Sequence, residues 1–158
     1  MREIDRIYIH TSDSSFGSVE EIRKWHKAKG WDDIGYHIVI TNGYLHSNDT
    51  YNIQLDGTAG MGRPFDVEGA HVLGDNDTSL GICVVGTDWD TWSSLQMSEL
   101  INVCKKLMDK YDILASNVLG HFETRGVPTE KTCPFSSYYS EDNKDLAVKA
   151  MNIFRGIL

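Results

Sequence analysis

Apolar and polar residues alternate from Ile4 to His10, with Ile7 and Ile9 set against Arg6 and Tyr8, and this period of two predicts a strand. Ser18, with Glu21 three residues on, has the form of a capping box. Behind it Ile22, Trp25 and His26 fall at helical spacing as far as Lys29, and Gly30 ends the helix. Gly35–Thr41 (GYHIVIT) reads as a buried strand. Asn42-Gly43 predicts a tight hairpin turn, in which both central residues take positive φ, with Tyr44–His46 as the return strand. Residues 56–69 are rich in glycine and polar groups and read as an irregular loop. Ala70–Leu73 and Ser79–Val85 are further strands, the second apolar enough to be central in a sheet. Met97, Leu100, Ile101, Cys104, Leu107, Met108 and Tyr111 recur every three or four residues, predicting a helix over about 94–112 whose apolar stripe packs on the sheet. Asn117–His121 is a short strand, and 142–156 a closing helix with Leu146, Ala150, Ile153 and Phe154 on one face. The order β-α-β-β-β-β-α-β-α predicts an α/β chain, a central mixed sheet flanked by helices.

Composition narrows the functional classes. At 158 residues, with no internal repeat, linker or block of like charge, residues 1–158 form a single domain. A formal net charge of −8 argues against non-specific binding to nucleic acid or to an anionic membrane, both of which need a basic surface. No apolar run approaches the ~20 residues of a membrane helix. The first residues, Met1-Arg2-Glu3-Ile4-Asp5-Arg6, are too charged for a secretory signal, so the chain is expected to start in the cytosol. Cys83, Cys104 and Cys133 lack CxxC spacing and cannot build a disulfide framework. They read as reduced thiols, or as one ligand and two core residues.

Two of the six histidines end predicted strands, where rigid backbone meets loops. His10 precedes the polar run Thr11-Ser12-Asp13-Ser14-Ser15, and His121 closes Val118-Leu119-Gly120-His121. Twelve residues later comes Lys131-Thr132-Cys133-Pro134. Two imidazoles and a thiolate form a zinc set of the open kind, in which three protein ligands leave one tetrahedral corner for water. Spacing does not force the three together, and a strand-end histidine pair with a buried free cysteine accounts for the same residues.

The segments IYIHTSDSS, GYHIVI with its NG turn, EGAHVLGDNDTSLGICVVGT and VLGHFETRGVPTEKTCPF resemble, in order and spacing, the zinc N-acetylmuramoyl-L-alanine amidases. That family includes small phage lysozyme-type amidases and the animal peptidoglycan recognition proteins. The resemblance runs from about Ile4 to Phe135. It implies a single-domain amidase/peptidoglycan-recognition fold, with no separate wall-binding domain. It also implies one zinc per chain on His10, His121 and Cys133. Tyr36 takes the place of the family's active-site tyrosine, Lys131 that of the lysine essential in the phage enzymes, and His71 that of a residue lining the substrate groove. The implied reaction is hydrolysis of the amide between N-acetylmuramic acid and L-alanine, in a phage endolysin made in the host cytoplasm and released to the cell wall or periplasm at lysis.

The implied partner is the peptidoglycan glycopeptide, met by a monomer. Competing readings are a non-catalytic peptidoglycan-binding module, an amidase that also inhibits phage RNA polymerase, and an antibacterial effector delivered by a secretion machine. Cys83 and Cys104 are expected in the core, as is Trp25. Trp31, Trp89 and Trp92 either stack on ligand or pack back onto the domain. His37, neighbour of Tyr36 on the predicted strand, is expected on the opposite face as a structural residue, and His26 and His46 are expected in solvent.

Overall fold

The computed structural model describes residues 2–135 and 144–158. Its elements are β1 (Arg6–Thr11), α1 (Val19–Ala28), β2 (Ile38–Asn42), β3 (Asp56–Met61), β4 (Ser79–Val84), α2 (Ser94–Tyr111), β5 (Val118–Gly120) and α3 (Lys144–Ile157), with short 3-10 turns at Trp89–Thr91, Ala115–Asn117 and His121–Glu123. The five strands lie in the order β3-β2-β4-β1-β5. β1 runs parallel to β4 and β5, β2 runs parallel to β4, and only the β2–β3 pair is antiparallel. This is the expected mixed α/β sheet with helices packed on it.

The period of two divides the sheet into unlike faces. Ile7 and Ile9, Ile38 and Ile40, and Leu80, Ile82 and Val84 share one apolar cluster with Leu100, Cys104 and Leu107 of α2 and with Ala147, Met151 and Phe154 of α3. The alternate positions Val39 and Cys83 pack instead with Ile22 of α1, Ile34 and Val85, and with the partly buried Tyr36 and Trp25. Tyr8 and His10 belong to this second row. The alternation in β1 therefore separates a greasy face from a chemical one, and both are out of water: Tyr8 is fully buried and His10 is 1% exposed.

Helix ends follow local chemistry. The Ser18 side chain accepts from the Glu21 N–H, and the chain leaves α1 through Gly30 at φ +89°. Ser93 and Gln96 cap α2 reciprocally, and the buried Gln96 amide also donates to the carbonyls of Ile40 and Val85, tying the helix start to the sheet. Cys83 and Cys104 are fully buried, as expected.

Several expectations change. Asn42-Gly43 is not a two-residue hairpin. Gly43 has φ +87° but Asn42 does not enter the positive region, and β2 reaches its antiparallel partner only at Asp56. Tyr44–His46 is no strand. The return strand is β3 (DGTAGM), inside the stretch read as a loop. It is a largely exposed edge, so it needs no apolar row. Its glycines answer to close approaches: Gly57 has φ +72°, and a Cβ there would come within 2.6 Å of the Leu95 carbonyl oxygen. Ala70–Leu73 is a loop as well, held by the Asn76 side chain, which accepts from the N–H groups of His71 and Val72. The buried face of α3 is Ala147, Met151 and Phe154, leaving Ile153 70% exposed. The expected start of that helix at 142 lies outside the described residues. Among the described residues no helix is long and apolar enough to cross a membrane.

Candidate metal centre

β1 carries His10 one residue before its end, and the parallel neighbour β5 ends at Gly120, so that His121 opens the 3-10 turn beside it. The loop that follows returns past the same strand ends. The Phe122 N–H donates to the Cys133 carbonyl at 3.3 Å, bringing the thiol under both rings. One ring nitrogen from each histidine and Sγ of Cys133 all lie within 4.8 Å of one another. Cys133 Sγ is 3.9 Å from Nδ1 of His10, and the two imidazole centroids are 4.6 Å apart. At the corners of a zinc tetrahedron an N and an S would be separated by about 3.6 Å. The three side chains the sequence singled out are thus brought together, and their donors fit a borderline-soft divalent metal in a site with an open corner.

The surroundings hold these donors in unlike states. Burial, with His121 and His71 as neighbours, pushes His10 well below 6.5, and burial together with the Lys131 charge brings His121 down to about 4. Both rings are therefore neutral and carry a free lone pair at pH 7. Burial raises Cys133 to about 11, against the pull of a backbone hydrogen bond from Thr11 and of Lys131. A metal must displace its proton.

A groove of about 670 Å³ opens over the trio. Tyr36 lines it with its ring 5.1 Å from that of His10, and burial beside Cys83 and Cys133 keeps the phenol protonated. Tyr36 is not on the strand, which starts two residues later, but the backbone still separates it from His37. His37 is fully buried on the other side, and its Nδ1 accepts from the Gly81 N–H at 3.0 Å, in keeping with a structural role. Lys131 is exposed on the groove wall, and His71 is buried at its base.

The far wall was missed in the sequence. Ile22, Trp25 and His26 line the groove from one face of α1, joined by Lys29 at its C-cap and by Trp31. His26 is 8% exposed rather than solvated, and its Nδ1 accepts from the Gly35 N–H at 2.9 Å. Burial and the charges of Lys29 and Arg63 hold it near 4. The signal was present as spacing, since positions 22, 25, 26 and 29 share one helical face. Trp25 lies at the edge of the core rather than within it. Trp89 and Trp92 pack back onto the domain, Trp89 stacking on Phe135 at 5.0 Å, whereas Trp31 remains 41% exposed at the groove. His46 is exposed, beside Asp49.

The N-acetylmuramoyl-L-alanine amidase family model matches residues 1–136. The endolysin of Enterobacteria phage K11 is 32% identical over 142 residues, 84% of this chain and 82% of that protein. The endolysin of Escherichia phage T7 is 32% identical over 139 residues, 82% of this chain and 80% of its own length. Among solved structures, a mutant of the Drosophila peptidoglycan recognition protein LB in complex with tracheal cytotoxin superposes with a TM-score of 0.66 at 26% identity, covering 86% of this chain and 78% of that one. With a matching model over most of its length and relatives of that similarity, the chain belongs to the N-acetylmuramoyl-L-alanine amidase family.

Proposed function

We propose that this single domain hydrolyses the bond between the lactyl group of N-acetylmuramic acid and L-alanine, as a phage endolysin, with one zinc held by His10, His121 and Cys133. The observation that supports this reading most directly is the convergence of those three donor atoms within 4.8 Å at the base of an open groove. When bound, zinc would supply a Lewis acid for the scissile carbonyl and acidify a water at neutral pH.

The chain's own residues do the rest. With a zinc dication bound, neutral His10 and His121 and the Cys133 thiolate would leave the site at net +1, so a developing oxyanion would meet positive charge. The Lys131 ammonium adds to it from the groove wall, near enough that its charge lowers both His121 and Cys133. Tyr36 keeps its proton on Oη and so acts as a donor, to the oxyanion or to the attacking water. The groove is long enough to continue past Tyr36 toward Trp25, His26 and Trp31, where a sugar or stem-peptide face can stack on the exposed indole of Trp31. The named endolysin relatives support release to the cell wall at lysis as the place of action.

Zinc stoichiometry, measured with hydrolysis of purified peptidoglycan in the presence and absence of chelator, tests the reading. One zinc per chain and chelator-sensitive release of L-alanine amino groups without new reducing sugars are expected. Zinc without cleavage would make the domain a binding module, and absence of zinc uptake would remove the metal reading.

A further inference from the structure

The groove base contains a chain of hydrogen bonds whose direction can be followed from its outer end. The Ser79 hydroxyl is 2.5 Å from the Asp75 carbonyl oxygen, which can only accept, so the hydroxyl proton is committed there. Toward Nε2 of His71, 3.4 Å away, Ser79 Oγ is left as an acceptor. Nε2 of His71 therefore carries the ring proton, and its Nδ1 is bare. Nδ1 of His71 lies 3.1 Å from Nε2 of His10, so it accepts and His10 carries its proton on Nε2. The remaining atom, Nδ1 of His10, is left with a free lone pair, and this is the atom 3.9 Å from Cys133 Sγ.

We propose that His71 is a positioning residue for the metal centre: it fixes His10 as the Nε2–H tautomer and so presents Nδ1 to the metal. The assignment rests on the zinc reading above for its consequence, although the direction of the chain does not use the metal. A metal-binding histidine needs its second nitrogen satisfied, and neutral imidazole is an acceptor rarely used for this, carbonyls and carboxylates being usual. The fold holds the acceptor ring rigidly. A Cβ on Gly81 would lie 2.6 Å from Cγ of His71, and one on Gly69 2.6 Å from its Cδ2, so two backbone segments close on the ring. The His71 N–H is anchored on Asn76 Oδ1 at 2.8 Å. The T-shaped ring packing of His10 and His71, with centroids 5.1 Å apart, aims the edge of one at the other.

The experiment compares full-length wild type with His71→Leu, which removes the acceptor, and His71→Asn, whose Oδ1 stands about where Nδ1 was. Ring nitrogens are followed by 15N NMR of the metal-free protein, and zinc affinity by competition with a chromophoric chelator. Wild type is expected to show His10 as a single Nε2–H tautomer. His71→Leu should mix the tautomers and weaken zinc binding by about 10- to 100-fold, and His71→Asn should recover most of that loss. Unchanged zinc affinity with an unchanged His10 tautomer in His71→Leu overturns the proposal. So does a rise in KM for the glycopeptide with zinc affinity intact, which would make His71 a substrate contact only. Wild-type protein that takes up no zinc overturns the metal reading itself, whatever the tautomer.

Discussion

Tyr8 and His10 point to the same face of β1, two residues apart, and each lies in a buried polar cluster, yet the clusters are built on opposite plans. Around Tyr8 every valence is answered. Its hydroxyl donates to Asp75 at 2.5 Å and accepts from the Arg125 N–H at 3.0 Å, and Arg6 reaches both oxygens of the same carboxylate at 3.0 and 3.1 Å. Such a network stabilises the fold by being saturated. Around His10, one nitrogen from each of two imidazoles and the Cys133 sulfur converge within 4.8 Å, held together only by a thiol proton that a metal would displace. The same strand thus holds a closed network that binds two loops together and an open one that the loops bring to readiness. Saturation, rather than burial or polarity, distinguishes a structural polar cluster from a functional one here.

Substitutions should separate the two plans. The largest effect is expected in the open cluster, where Cys133→Ser or His121→Ala should abolish zinc binding and lower turnover by about 10²–10⁴-fold, the equivalent of the several kcal/mol a Lewis acid supplies. Folding, followed by circular dichroism of the metal-free protein, should change little. Lys131→Ala should keep zinc and fold while lowering kcat by about 10²–10³-fold, the usual effect of removing one oxyanion donor. Full activity in that variant would exclude Lys131 from the chemistry. In the closed cluster the outcome should invert: Tyr8→Phe strands the Arg125 N–H and leaves the buried Asp75 carboxylate to Arg6 alone, and should cost about 1–3 kcal/mol in denaturant unfolding, with zinc stoichiometry unchanged.

The smallest effect concerns acid. His26 and His37 are held near 4 by burial, whereas an unfolded chain would protonate them at about 6.5. Below 6.5 the unfolded chain takes up protons that the folded one refuses, so their contribution is complete above that pH and drains as pH falls toward 4. The unfolding midpoint of the metal-free protein should fall across this window, and His26→Asn should flatten the fall.

Much of this site could be read along the chain because strand ends and loop motifs mark it locally. His10, His121 and Cys133 stood out by position, and the resemblance drew Tyr36 and Lys131 to the same place, where the structure puts them. The α1 wall was hidden for a physical reason: helical spacing reports that Ile22, Trp25 and His26 share a face but not whether that face meets oil or a groove. β3 was hidden because an edge strand under close approach is made of the residues that elsewhere mark loops. The role of His71 lay in directions of protons, which no spacing encodes.

On the proposed zinc reading, the placement of the three donors along the chain also sets when the centre can be completed. Cys133 is made 123 residues after His10. At translation rates of about 5–20 residues per second that is a delay of about 6–25 s. Both strands that flank β1, β4 at Ser79–Val84 and β5 at Val118–Gly120, are made before Cys133, so the third donor comes after the sheet around His10 is in hand. On the proposed zinc reading, a chain stopped short of Cys133 holds half a clasp, and the centre waits for translation to pass residue 133.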